Sequence, residues 1–481
     1  MTSALLKKTL PGVPLAALLC AGCAVGPDFA TPAPPPVDRY TPERTASPGN
    51  GQRFREGAEP SARWWTSFGS SRLDDLIDEA MEASPTLDAA EAAIRAANFN
   101  SLAAAGAWFP QVGLNSNSSY NLASDEATNS TLVSTPFGFF TKQVQINYTL
   151  DVWGATWRTV ESLDAQRDAQ VQQQRAAQMM LAANIAQAAI EEASLRGQVA
   201  ATRRLVALAE ERLTLLERQL AYGAVAGTDV LSQQTALAQA RQLLPGLETR
   251  LAQQRNRLAA LAGRFPSQGV EASFELSQFT LPRDLPLSLP SRLVEQRPDV
   301  KTAEANVHSA SALVGVAVAA RLPNVTISAA GGTSAQSFAQ LFTPGTGFYT
   351  VAGNIVQPVF YGFTLLDKQR SAEASLDQAK AQYRDAVIKA FENVADALRA
   401  LQGDARAVAD ARAAEGTSHA YLGKVRLQLD RGGVSQLVVV DAERAYLTAA
   451  NARIQAEAQR LADTAALFVA LGGGWGTQEA R

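Results

Sequence analysis

Hydrophobic positions along this chain follow two periods in turn, and the sequence runs through the pair twice. The first period is the strict alternation of a β-strand with one apolar face. In Gln111 to Leu122, Val112, Leu114, Tyr120 and Leu122 share one face, and Asn115, Asn117, Ser119 and Asn121 share the other. In Gln143 to Val152, Val144, Ile146, Tyr148, Leu150 and Val152 alternate with Gln145, Asn147, Thr149 and Asp151. Val325, Ile327 and Ala329, then Tyr349, Val351, Ile355 and Val359, offer two further strands. The spacing predicts strands over about 111–122, 143–152, 324–332 and 348–360.

The second period is helical and very long. Thr156 to Ala221 holds no proline and only Gly197, about 66 residues or roughly 100 Å at 1.5 Å per residue. Thr364 to Asp430 likewise holds no proline and only Gly403, Gly416 and Gly423. Leu205, Leu208, Leu213, Leu216 and Leu220 step by three to five residues, as in coiled-coil packing. Each run stops at a glycine turn, Tyr222 to Thr228 or Arg431 to Ser435, where Thr228 and Ser435 are positioned to N-cap return helices from Asp229 to Leu261 and from Gln436 to Leu471. A short helix, Arg72 to Glu82, precedes all of this.

The two passes are copies. Pro85 and Pro298, Glu91 and Glu304, Pro110 and Pro323, and Val112 and Val325 match at one shift of 213 residues. The predicted organisation is a leader over 1–22, an extended arm over 23–62, a first repeat over 63–270 with its hairpin at about 155–262, a linker over 271–292, a second repeat over 293–472 with its hairpin at about 364–471, and a tail over 473–481.

The ends and the composition narrow the setting. Lys7 and Lys8, the apolar run Leu15 to Leu19, and Cys20-Ala21-Gly22-Cys23 form a secretory signal too short to span a bilayer. Its end resembles a lipobox that makes a lipidated Cys23 the first mature residue; an ordinary signal peptide with two incidental cysteines is the alternative. Once Cys23 carries lipid, no cysteine pair remains for a disulfide. Residues 24–60, rich in Pro, Gly, Ser and Thr, read as an extended arm before Trp64 and Trp65 open the folded body. Net charge is −3 without a Lys/Arg cluster, which argues against a nucleic-acid partner.

Alternation alone also fits a half-buried sheet on a soluble domain. The polar face here is almost uncharged Asn, Ser, Thr and Gln, as a wet lumen requires, and Phe137, Phe139 and Phe140 suit an aromatic girdle. The loops Ser124 to Pro136 and Gln336 to Gly345 join the strands. Four strands cannot close a membrane barrel, because an open edge leaves backbone groups unpaired in hydrocarbon. The count therefore demands a ring of chains sharing one barrel.

With CAVGPDF (Cys23 to Phe29), WWTSFGSSRLDDLIDEA (Trp64 to Ala80), DVWG (Asp151 to Gly154), QRPDVKTAE (Gln296 to Glu304) and QPVFYG (Gln357 to Gly362), the chain resembles the TolC-like outer-membrane efflux factors, in their lipoprotein branch, over nearly its whole length. The resemblance implies an α+β membrane protein: a homotrimer with a 12-stranded β-barrel, four strands per chain, continuous with a periplasmic α-helical barrel. It implies an exit duct for small toxic compounds, lipid-anchored in the outer membrane and served by a periplasmic adaptor and an inner-membrane resistance-nodulation-division pump. The exit duct of a type I protein secretion system is the alternative within the fold, and a periplasmic coiled-coil scaffold without a pore is the alternative outside it.

The resemblance also gives roles to residues that would otherwise be ordinary helix-face positions. Asp441 takes the place of the family's ring aspartate at the periplasmic gate, Leu437 the apolar constriction, Arg444 a tip arginine, and Asp229 an acid restraining the neighbouring helix pair. Bonds such as Arg444 to Asp229 would hold the tip closed. Val438 stands where some relatives carry a second ring acid. The tips Gly223, Gly227, Thr228, Gly432, Gly433 and Ser435 are the expected adaptor-docking points. Neither His308 nor His419 has metal-ligand or catalytic company, and no catalytic motif sits on a strand-to-helix turn. The sequence thus predicts no enzyme activity, no cofactor and no metal site.

Overall fold

The computed structural model describes residues 24–43, 46–49, 51–122 and 136–474. The leader, Cys23, most of the first strand-joining loop and the end of the tail lie outside the described residues. The chain forms two compact units.

The first unit takes residues 24–32 of the described chain, Ala93–Gln170 and Ala303–Tyr383. Its centre is an antiparallel sheet of order β2-β3-β5-β6, with β2 Gln111–Asn121, β3 Phe137–Leu150, β5 Asn324–Ala335 and β6 Gly347–Val356. β3 begins six residues before its expected start at 143, and β6 ends before Val359, which is nearly fully exposed. Among the described residues, β2 and β6 are edges without a further strand partner. The register stacks apolar rows on one face: Val112, Ile146, Ala329 and Val351, then Leu114, Val144, Gly331 and Tyr349. Tyr120 and Phe140 belong to this face. Phe137 and Phe139 pair with Asn121 and Ser119 on the polar one, so of the three phenylalanines only Phe140 stands with the apolar set. A side chain's face in a strand is fixed by its parity, not by its composition.

The helices α2 (Pro85–Ala105) and α6 (Pro298–Ala319) lead into β2 and β5. Residues Val25 to Phe29 are docked here. The Val25 N–H donates to the Trp153 carbonyl at 3.1 Å, Arg158 Nη2 pairs with Asp28 at 2.6 Å, and Phe29 stacks on His308 with centroids 4.3 Å apart. Gly26, at φ 98°, lies against the Gly315 backbone, where a Cβ would collide.

The second unit takes residues 33–92, 171–302 and 384–474 of the described chain. Its core joins Trp64, Trp65 and Phe68 to Leu73 and Ile77 of α1 (Ser71–Ala83), with Ile185, Leu258, Phe274 and Phe468. Trp64 stacks on Phe468 at 5.6 Å, and each such fully buried side chain contributes about 1.5–3 kcal/mol. Ala182, Ala186, Ala189 and Ala193 line the same cluster, small enough to let helices approach closely. The expected arm is more than an extended tether. Residues Arg53–Glu56 form β1, paired in parallel with β4 (Asp284–Leu287), ahead of the short α5 (Pro290–Gln296). The Tyr40 hydroxyl donates to the Ser288 carbonyl, and Arg460 donates to the Gln52 side chain.

The hairpin helices are α3 (Ala155–Ala221) and α4 (Gly227–Leu261), then α7 (Thr364–Asp430) and α8 (Gln436–Ala470). The two long helices are 67 residues each and the two return helices 35 each. From Ala155 to Thr364 the shift is 209, four less than the 213 between Gln111 and Asn324, so the copies differ in length only between those points. Of the leucine stripe on α3, Leu216 is buried and Leu208 and Leu220 are exposed; Val206 and Ala209 make the core with Leu237 and Ala240.

Candidate functional site

The tips are built from one repeated backbone device. In the first, Gly223 at φ 71° donates to Leu220 O at 2.9 Å and Ala224 donates to Gln219 O at 2.8 Å. In the second, Gly432 at φ 73° donates to Leu429 O at 2.8 Å and Gly433 donates to Gln428 O at 2.8 Å. These bonds recur at the 209 shift and satisfy carbonyls that a helix end leaves open. Space around both left-handed glycines is empty, so the backbone conformation is what selects glycine.

The caps differ from expectation. Ala226 is the N-cap of α4, and Gly227 and Thr228 are already helical. Asp229 does the capping instead, its Oδ2 accepting from the Ala226 N–H at 3.2 Å, and its negative charge suits a helix N-terminus. Ser435 is the N-cap of α8, but its hydroxyl makes no cap bond. Gly223, Gly227, Thr228, Gly432, Gly433 and Ser435 are all solvent-exposed.

Leu437, Asp441 and Arg444 form one exposed stripe on α8, opposite the buried Val439, Val440, Ala442, Glu443 and Leu447. Leu437 is 57% exposed. The proposed Arg444–Asp229 bond is not formed within the chain: Arg444 donates to Gln239 of α4, and Asp229 is engaged at its own cap.

Directly behind the stripe lies polar machinery that the sequence reading missed. Gln436 Nε2 donates to Gln233 Oε1 at 2.9 Å, and Gln233 Nε2 donates to the Ala209 carbonyl at 3.1 Å, all buried. Glu443, 5% exposed, pairs with Arg426 of α7 at 2.8 Å. Burial holds the Arg212 guanidinium of α3 below its ordinary range; Glu443 opposes this and Arg426 adds to it. Both hairpins therefore contribute charge to one spot. The signal was present: Gln436, Val440, Glu443 and Leu447 repeat at four, three and four, so two polar residues sit on the buried stripe.

Elsewhere, His308 Nε2 lies 3.0 Å from Glu161 Oε1, and the His419 ring lies 5.2 Å from Tyr446. Among the described residues no group of three or more His, Cys, Asp or Glu side chains stands at metal-holding spacing. No described helix is long and apolar enough to cross a membrane.

The duplication has a counterpart in the family comparison. The model of the "Outer membrane efflux protein" family matches this chain twice, over residues 76–264 and 289–473. The chain belongs to the outer membrane efflux protein family. Its similarity to the pyoverdine export outer membrane protein OpmQ of Pseudomonas putida is 29% identity over 455 residues, covering 93% of this chain and 94% of that protein. With the outer membrane protein OprJ of Pseudomonas aeruginosa it shares 28% identity over 472 residues, covering 96% and 95% of the two chains. The solved outer-membrane channel OprN superposes with a TM-score of 0.84 at 25% identity, over 94% of this chain and all of that one. As an outer membrane efflux protein, the chain has the α+β fold of the trimeric TolC-like channels and is an outer-membrane channel of tripartite efflux systems that extends into the periplasm.

Proposed function

We propose that three copies of the chain close one 12-stranded barrel and form a passive exit duct for small toxic molecules. The sheet carries the reading: it has an apolar face, an opposite face of uncharged polar side chains, and two edges, β2 and β6, that no strand among the described residues covers. In hydrocarbon such edges must be paired, and four strands from each of three chains pair them all.

The duct carries out no reaction of its own; an inner-membrane resistance-nodulation-division pump supplies the energy, and a periplasmic adaptor docks on the two glycine tips. Cys23 carries the lipid. Near the threefold axis, Asp441 from each chain sets up a ring of like charge that attracts cations, and Leu437 one turn earlier narrows the path. Arg444 and Asp229 restrain the tips. Several relatives are efflux proteins by name, including a cation efflux system protein of Escherichia coli, 26% identical over 468 residues. They favour a small-molecule duct over a polypeptide exporter. The test is reconstitution: heat-resistant trimers should conduct ions across planar bilayers, and deleting the gene should sensitise the host to the pump's substrates. Monomers without conductance would overturn the barrel.

A further inference from the structure

Among all residues of the four sheet strands, Lys142 is the only charged one. Its position is unexpected. The register places it between Ser116 of β2 and Thr333 of β5, in the row beyond Leu114, Val144, Gly331 and Tyr349, on the apolar face. On the polar face a lysine would simply meet water. On the apolar face it meets lipid, where an unpaired ammonium is costly, less so near the interface.

Among the described residues Lys142 has no ionic partner; its Nζ stands 5.0 Å from the centroid of the exposed Phe338 ring. Its depth follows from the chain. The helices join the sheet at Gln111, Leu150, Asn324 and Val356, so the opposite end is the extracellular one. Lys142 lies eight residues beyond Leu150, about 26 Å along the strand at 3.3 Å per residue. With the usual tilt that is about 20 Å of an apolar band about 25 Å tall. Lys142 therefore sits at the outer border, next to the aromatics Phe140, Phe338 and Phe342, which contact one another edge to face.

We propose that Lys142, with the hydroxyls of Ser116 and Thr333 beside it, binds the phosphate of a glycolipid in the outer leaflet. The ammonium offers three donors to phosphate oxygens, and the two hydroxyls can donate to others. The rows Leu114–Val144–Tyr349 and Val112–Ile146–Val351 give the acyl chains an apolar bed on the inward side. The occupant is an amphiphile and not free phosphate, because the charge stands at the edge of a lipid-facing band. This rests on the barrel reading above, and trimer formation is measured separately for that reason.

The experiment titrates purified trimers with bisphosphorylated lipid A, and with the same lipid stripped of phosphate, and counts bound lipid by native mass spectrometry. Lys142→Met should weaken binding of the phosphorylated lipid about fivefold, Lys142→Arg should retain it, and the stripped lipid should bind both variants and the wild type equally weakly. Equal affinity of Lys142→Met and wild type for the phosphorylated lipid overturns the site, as does tight wild-type binding of the stripped lipid. Lys142→Met should stay heat-resistant and conducting, since methionine suits an apolar face. Wild-type protein that forms no conducting trimer sinks the barrel instead.

Discussion

Gln436 donates its side-chain amide to Gln233 at 2.9 Å, in a buried contact that joins the second hairpin to the first just behind the exposed Leu437–Asp441–Arg444 stripe. A buried amide is held by its partner's exact placement, because an unmatched donor or acceptor in such a site is penalised. The pair therefore fixes how the return helices α4 and α8 meet at the tips.

Gln233→Ala should leave the Gln436 amide and the Ala209 carbonyl without their partner, at a cost of about 1–3 kcal/mol. Amide hydrogen exchange in residues near 233 and 436 should accelerate while the sheet strands keep their protection. Unchanged exchange at the tips would show that the contact does not hold them.

The second prediction concerns pH. Burial, helped by the adjacent Asp463 carboxyl, raises Asp404 from its usual carboxylate value of 3.8 to about 7, with Arg460 opposing. A carboxyl whose folded pKa is raised holds its proton longer when folded than when unfolded. Its penalty is absent below pH 4, grows between about pH 4 and 7, and is complete above 7. Asp404→Asn should thus raise the melting temperature at pH 8 and leave it near wild type at pH 4. A gain that is the same at both pH values would rule out this origin.

If the proposed gate is right, Asp441→Ala should weaken cation block of single-channel conductance, because it would remove the proposed ring of like charge. Asp229→Ala offers the comparison, since Asp229 caps its own helix through the Ala226 N–H. It should lower tip stability by about 1 kcal/mol, leaving the block largely in place. Undiminished block in Asp441→Ala removes Asp441 from the ion path.

At the membrane end, Cys23→Ser should abolish metabolic labelling with radioactive palmitate. Labelled protein in that variant would sink the anchor assignment. The docked segment behind it, with Arg158 paired to Asp28, should stay in place whether or not lipid is attached.

Much of the architecture was legible in the residues because it depends on local periodicity. The 67-residue runs lack proline, and glycine marks their ends, so α7 matches its expected bounds and α3 differs by one residue. The alternating segments likewise became β2, β3, β5 and β6. The tip residues were found through the resemblance, and the geometry then placed Leu437, Asp441 and Arg444 on one exposed face. What residue type and composition could not carry were the precise helix start and the side-chain parity within a strand. Thr228 was the natural cap by residue type, but the helix starts two residues earlier than that cap implies, at Gly227, and Asp229 supplies the bond. Phe137 and Phe139 were grouped with Phe140 by composition, and the register separated them.

By itself the sequence determined a duplicated chain of alternating strands and very long helical hairpins, with four strands, too few to close a barrel without partners, because periodicity and backbone satisfaction are properties of local order. Only the tertiary structure decided that Glu443 faces inward to Arg426, that Gln436 meets Gln233, and that Lys142 stands on the apolar face. Those outcomes depend on strand register and on which helix face packs against which neighbour, and neither is fixed until separate elements come together, in the case of Gln436 and Gln233 from some two hundred residues apart.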